Sequence, residues 1–513
     1  MTMKNKTAVN VGDWIREWAA IQPDKAALVE EGKQYSYRDL NRRIIRLSNF
    51  LLCAGLKKGD RVAVLLRNCR EYIEIFFALS KIGGILVPLN WRLVLPELEF
   101  IIKDSGSRFI IFDGDFIDNA ITLQEKIPMD VAMVCTAEGS RTDGLPNWVV
   151  DYETSLNGCS NIEIPVPWSV GGEDAHILMY TSGTTGLPKG AILSHRKTFF
   201  NVLNADIYFG LTRHDITIVI RPMFHSGGLI VDMAPVLYKG GTVIIKRRFV
   251  FAEILATAEQ YKVTILELPA TVYNFILEEC DIDRYDLSSV KCCFTGGERV
   301  PIALLQAFAG KGIIISQIYG LTEASTIFWL PIDKAVMKMG SVGQPVIHGE
   351  VRIVDGRGKN VNPGEIGEII VRGPILMSGY WKRPDLTKKV IKNGWLHTGD
   401  LARVDEDGFT YIIDRKKDMF ISGGENVYPA EVEKALFSHP GVIDAAVLGV
   451  PDKKWGEVGK AFIEPREGYL ISAEEVRIFL ADKLARYKIP QYIEFIGKLP
   501  KTASGKIKKH LLK

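Results

Sequence analysis

Residues 180–195, YTSGTTGLPKGAILSH, pack three Gly, three Thr, two Ser and one Lys between two apolar runs, and they nearly spell a P-loop. A Walker A loop reads GxxxxGK[ST], with its second Gly before the Lys and a hydroxyl residue after it. Here Gly183 stands six before Lys189, but Pro188 replaces the second Gly and Gly190 replaces the hydroxyl residue. Apolar runs at 177–180 and 191–193 predict strand, loop, strand, so no helix dipole serves the loop. Phosphate charge would then be met by N–H groups freed at Gly183 and Gly186, by the hydroxyls of Thr181, Ser182, Thr184 and Thr185, and by Lys189. A polar hairpin turn uses the same residue types, yet four hydroxyls, two interior Gly and a Lys within nine residues favour a phosphate device.

Outward from this loop, helical and strand patterns alternate. Residues 35–55 carry a capping pair, Ser36 and Asp39, then apolar Leu40, Ile44, Leu47 and Leu51, and stop at Gly55, which predicts an amphipathic helix. A strand over 62–66, a helix over 72–84 and an apolar run at 85–89 complete a βαβ unit. Similar alternation recurs at 263–268, 290–295 and 313–318, so residues up to about 340 read as doubly wound, in two related halves. Between 340 and 415 short runs punctuated by Gly and Pro (GSVGQP, NPGEIGEIIVRGP, DEDGF) predict a small antiparallel barrel or sheet. From 427 a helix, a strand, a second helix and a Lys-rich tail predict a compact α+β unit. The expected fold class is α/β: a large N-terminal body of doubly wound sheets plus a small β-barrel, with a small α+β C-terminal domain.

Composition excludes several classes. The chain has 513 residues, 47% hydrophobic, with 64 basic and 61 acidic residues and a net charge of +3, so no global field draws nucleic acid or anionic membrane. The N-terminal MTMKNKTAVNVGDWIREW lacks an apolar h-region, and no apolar run approaches the ~18 residues of a membrane span, which predicts a soluble, cytoplasmic protein. Seven Cys without a CxxC pair, two of them adjacent at Cys292 and Cys293, argue against disulfides and structural zinc. Eight His without HExxH spacing imply that any metal arrives with a phosphate ligand.

TSGTTGLPKG at 181–190 resembles the signature loop of the adenylate-forming superfamily, which holds acyl-CoA synthetases, non-ribosomal peptide adenylation domains and firefly-type luciferases. Further elements similar to that family follow in its order: YGLTE at 319–323, TGD at 398–400, DRKKDMFISGGENVYPAEVE at 414–433 and PKTASGK at 500–506. The resemblance implies an N-terminal AMP-binding domain over 1–414 and a mobile C-terminal domain over 415–513. It also implies ATP, Mg2+ and coenzyme A, with a small carboxylic acid as the other substrate. No nucleic acid or transmembrane partner is implied, and a homodimer stays open.

The resemblance assigns roles residue by residue. Tyr319 would lie against adenine with Gly320 beside it, Thr322 at the phosphates, and Glu323 on the Mg2+ that bridges them; a carboxylate with phosphate oxygens suits that ion. Gly296, Gly297 and Glu298 would form the adenine floor, where Gly lets backbone approach a flat ring. Asp400 would accept bonds from both ribose hydroxyls, with Arg415 as a second ribose contact. His225, in PMFHSGG, would gate the acid pocket. Lys506 would reach the α-phosphate and the carboxylate and stabilise charge in the transition state. Thr184 joins Lys506, Glu323 and His225 among the catalytic candidates. Gly423 and Gly424 would line the pantetheine channel, and Lys417 would be the hinge between two orientations of the C-terminal domain.

These parts fit ATP-dependent activation of an acid to an acyl-adenylate followed by thiolate attack. The leading expectation is an AMP-forming acid:CoA ligase on a medium- or long-chain fatty acid. The alternatives are an aryl acid (benzoate or cinnamate type) CoA ligase and a stand-alone adenylation enzyme that loads a carrier protein. Residues 320–330 are mostly small or apolar, with Phe328 and Trp329 expected to set chain length, and contain no Arg or Lys to hold a second carboxylate.

Overall fold

The structure is a computed structural model that describes residues 9–135, 146–181, 188–247, 250–297, 300–422, 425–452, 455–481, 483–484, 486–502 and 505–512. The stretch around the Gly/Thr/Ser loop folds as its apolar flanks require. Strands Ala175–Thr181 and Lys189–Ser194 pair antiparallel, with Thr181 opposite Lys189, and the helix His195–Phe209 begins only after the second strand. This hairpin closes one side of an eight-stranded sheet. Its other strands, in spatial order, are Ile85–Pro88, Arg61–Leu65, Phe109–Asp113, Val131–Cys135 and Val149–Asp151, all parallel, and the two-residue strand Gly379–Tyr380 covers the hairpin's outer edge.

The predicted helix after Ser36 is Tyr37–Cys53, closed by a Ser36–Asp39 capping box worth about 1 kcal/mol. Leu40, Ile44, Leu47 and Leu51 are all fully buried, and they pack in one large core with the strands and the helix Arg70–Ile82. A second, nine-stranded sheet is parallel through Ile315–Leu321, Cys292–Gly296, Ile265–Glu267, Ile216–Val219, Thr242–Ile245 and Ala26–Glu30. At one side it turns back through the antiparallel strand Ser325–Trp329. Parallel strands buried on both faces explain why their sequence runs are continuously apolar. Cys292 and Cys293 are buried free thiols here, each pushed up to about 12 by burial.

Residues after 340 form a five-stranded antiparallel sheet of Glu350–Val354, Ile366–Arg372, Trp395–Val404, Ile391–Lys392 and Thr410–Arg415. It is a half-barrel: Glu350–Val354 stays at one edge and does not close onto the far side. The chain leaves this sheet after Arg415 and enters the last one at Phe420–Ser422. That sheet pairs Val442–Asp452 with Gly456–Pro465, carries the helices Pro429–Phe437 and Ala473–Ala481, and has its own hydrophobic core.

Candidate active site

The two large sheets meet where the loop hairpin ends. Lys189, first residue of its strand, sits with Nζ 4.1 Å from the centroid of the Tyr380 ring and donates to the Tyr380 hydroxyl. That hydroxyl donates to Glu323 Oε1 at 2.7 Å, and Lys189 Nζ lies 3.5 Å from the same oxygen. Glu323 comes from the second sheet, in the turn between Ile315–Leu321 and Ser325–Trp329, and its carbonyl accepts from the Met377 N–H at 2.7 Å. The turn is tight. Ser325 has φ 55°, in the left-handed region unusual for a residue with a Cβ. A Cβ on Gly320 would stand 2.0 Å from the Ser325 carbonyl oxygen, so that position tolerates only Gly. The buried Thr181 hydroxyl has no hydrogen-bond partner among the described residues, as suits a group kept for a ligand.

A second corner gathers Asp400, Arg415 and Tyr319. Asp400 and Arg415 are opposite each other across the half-barrel strands, with Arg415 Nε 2.5 Å from Asp400 Oδ1, while the Tyr319 hydroxyl donates to Asp400 Oδ2. Burial raises the Asp400 carboxyl, and Arg415, Tyr319 and Lys506 oppose that rise. Gly297, at φ 87°, follows the strand that ends at Gly296, and a Cβ on Gly296 would stand 2.6 Å from the Ile318 carbonyl oxygen. Thr322 and Gly320 are half-buried.

A third corner is His225. Burial, then the charges of Arg92, Lys506 and Arg221, push its imidazole down to about 4, so it is neutral at pH 7, and its buried Nε2 has no hydrogen-bond partner among the described residues. Lys506 therefore acts on His225 and Asp400 together. It stands on a turn closed by the Lys501–Ile507 bridge, with Gly505 at φ 85° and the Thr502 hydroxyl accepting from the Lys506 N–H at 3.1 Å. An ion pair between Lys501 and Asp444 fastens that turn to the last sheet.

Not every expected residue falls in this cluster. Ser182, Gly183, Thr184, Thr185, Gly186, Glu298, Gly423 and Gly424 lie outside the described residues. Lys417 is exposed in the turn between the half-barrel and the last sheet. Phe328 and Trp329, expected to set chain length, are buried: Trp329 stacks on Tyr208 at 5.7 Å and meets Phe209 edge-on at 4.3 Å. The strand is covered on both faces, so neighbouring Phe328 and Trp329 are both buried and alternation along 325–329 does not separate them. Tyr380 was missed altogether, because a Tyr in a two-residue edge strand carries no periodic signal. The segment Gly227–Met233 after His225 is a π-helix, which no sequence period announces.

Among the described residues no group of three or more His, Cys, Asp or Glu is arranged to hold a metal. A lone carboxylate, Glu323, fits an ion that brings its own phosphate ligands rather than one caged by protein. No helix among the described residues is long and apolar enough to cross a membrane.

A lysine–carboxylate pair bridged by a tyrosine, and a carboxylate held by Tyr and Arg, suit an enzyme that binds a nucleotide. The chain belongs to the AMP-binding enzyme family: residues 15–381 match the AMP-binding enzyme domain and residues 431–506 its C-terminal domain. It is an acid–thiol ligase of the AMP-forming type. It is 40% identical over 501 residues to a feruloyl-CoA synthase from Amycolatopsis sp, covering 97% of each chain. It is 34% identical to an indoleacetate–CoA ligase from Aromatoleum aromaticum, covering 98% of this chain and 97% of that one. Its fold matches o-succinylbenzoate CoA synthetase from Bacillus subtilis in complex with its acyl-adenylate intermediate, with TM-score 0.87, 33% identity and 98% of both chains covered. The same synthetase is also known in complex with ATP and magnesium ion.

Proposed function

We propose that this ligase is an ATP- and Mg2+-dependent aryl acid–CoA ligase that works through an acyl-adenylate. The observation that carries it is the meeting of Lys189 with Glu323 through Tyr380 at one corner of the site and of Asp400 with Arg415 and Tyr319 at another. In the first half-reaction the acid carboxylate attacks the α-phosphorus of ATP and pyrophosphate leaves. Lys506 stabilises the charge gathering on the α-phosphate, and Lys189 with the Thr181 hydroxyl binds the departing phosphates. Glu323 would be the side chain that holds Mg2+, which would supply neutralisation of the phosphate charge. Asp400, oriented by Tyr319 and Arg415, keeps lone pairs for the ribose hydroxyls, and neutral His225 offers Nε2 to the acid. In the second half-reaction a thiolate of coenzyme A attacks the acyl carbon and AMP leaves.

The aryl reading replaces the fatty acid expectation. The relatives are named for ring-bearing acids, and the side chains expected to meter an alkyl chain pack into the core instead. The test is CoA-dependent AMP release with benzoate, cinnamate and arylacetate series beside C6 to C16 fatty acids. An aryl acid should give the highest kcat/KM; a fatty acid ahead of every aryl acid would reject the reading, and turnover with a pantetheinylated carrier but not with free CoA would reject the thiol assignment.

A further inference from the structure

Beyond the last sheet the chain runs through residues 499–502 and 505–512, and Lys506 stands between two ends that are both fastened down. Leu499 and Leu512 are buried and share a small apolar cluster with Ala446 and Phe462, which face each other across the strands Val442–Asp452 and Gly456–Pro465. Between these pegs the chain bonds to itself. The Lys508 N–H donates to the Pro500 carbonyl at 2.7 Å, and the Thr502 N–H to the Lys506 carbonyl at 2.6 Å.

Three carboxylates of the C-terminal unit then grip the segment. Glu464 accepts from the Leu499 N–H at 2.9 Å, and Asp444, its partner across the strands, pairs with Lys501. Glu433, on the helix Pro429–Phe437, lies 2.8 Å from Lys509 Nζ and accepts from the Val447 N–H at 2.9 Å. The Asp444 and Glu433 side chains are only 14% and 13% exposed, so these pairs are screened less than ion pairs on an open surface. The helix that carries Glu433 is itself tied to the half-barrel. In its first turn the Ala430 N–H donates to Asp414 Oδ2 at 2.7 Å, and Asp414 Oδ1 accepts from the Arg415 N–H at 2.7 Å. A path of direct bonds therefore runs from Arg415 through Asp414, one turn of helix, Glu433 and Lys509 to the turn that bears Lys506.

We propose that Glu433 and Asp444 are positioning residues for Lys506: by clamping Lys509 on one side and Lys501 on the other, they fix its turn relative to the corner of Asp400 and Arg415 for the acid-activating step. This rests on the role given to Lys506 above. An ammonium on a flexible stem reaches one point reproducibly only if its backbone is held. Neither carboxylate meets substrate, so each acts through Lys506, and its loss should show in acyl-AMP formation alone.

The test uses the whole enzyme and the acid with the highest kcat/KM in the series above. It measures single-turnover acyl-AMP formation from ATP, and thioester formation from coenzyme A and purified acyl-AMP. Glu433→Gln keeps an acceptor for the Val447 N–H and Asp444→Asn keeps one for the Ala445 N–H, so both variants remove an ion pair without orphaning backbone. The double variant should form acyl-AMP at least about tenfold more slowly, since a misplacement near 1 Å costs up to about a hundredfold, and should form thioester within about twofold of wild type. Lys501→Asp should also slow the first step, and adding Asp444→Lys to it should recover part of the loss. Lys506→Ala is the control. If it slows both half-reactions equally, the role given to Lys506 fails and the clamp with it. If it is selective while the double variant forms acyl-AMP at the wild-type rate, or loses both half-reactions in parallel, the clamp is overturned and the role of Lys506 stands. Should the double variant not fold, the single variants and the charge swap decide, and a swap without recovery overturns the proposal.

Discussion

Lys197 lies in the first turn of the helix His195–Phe209, fully buried, with its ammonium on the Ser325 hydroxyl and its charge felt by Glu323. Burial pulls it down from 10.5 to about 7, and Glu323 opposes the fall. Between those two values the unfolded chain carries a proton on this lysine that the folded chain does not. Stability therefore rises with pH through that window by about 1.4 kcal/mol per unit, and the cost of the buried charge is full below pH 7. Lys197→Met removes this contribution: the unfolding free energy of the wild type minus that of the variant, from urea melts, should climb steadily from pH 7 to 9.5. A difference flat across that range would show that the lysine is not held as a desolvated amine. Nothing in the letters SHRKTFF separates this lysine from a solvated one. Its neighbours Ser325 and Glu323 are more than a hundred residues away, so only the packing of helix against turn reveals it.

At the scale of elements, the hairpin of Ile315–Leu321 and Ser325–Trp329 holds Thr322 and Glu323 in the short turn that joins its strands, and Gly320 is the point where that hairpin has no spare room. A Cβ placed 2.0 Å from a backbone oxygen cannot be absorbed by a side-chain shift, so the turn itself must move. Gly320→Ala should reduce ATP–pyrophosphate exchange at least about a hundredfold, since a displacement near 1 Å costs a catalytic constellation that much. Exchange within a fewfold of wild type would show that Glu323 does not depend on the turn's geometry. The elements themselves were legible. The helix Tyr37–Cys53 follows from its cap and period, and the parallel strands follow from continuous apolar runs. The π-helix and the edge strand Gly379–Tyr380 were not, because the first packs against the helix His195–Phe209 and the strand Ile216–Val219 and the second is too short to show a period.

At the scale of the whole molecule, Lys506 stands on a turn beyond the last sheet and the pair Asp400 and Arg415 on the half-barrel, yet the lysine's charge opposes the rise of the Asp400 carboxyl. Lys506→Ala should slow ATP-dependent acyl-AMP formation by orders of magnitude and leave thioester formation from supplied acyl-AMP nearly intact, because only the first step gathers charge on the α-phosphate. Equal loss of both half-reactions at unchanged thermal stability would assign Lys506 a structural role instead.

The order of elements, the strand–loop–strand character of 180–195, the separate C-terminal unit and the nucleotide chemistry were all determined by the sequence, because each rests on local period, caps or residues packed into one short motif. The partners of Glu323, the pairing of Asp400 with Arg415 and Tyr319, and the grip of Glu433 and Asp444 on the Lys506 turn were decided only by the tertiary structure. Each joins residues from separate elements. Parallel sheets bring the ends of distant strands to one edge, and no local pattern records which ends become neighbours.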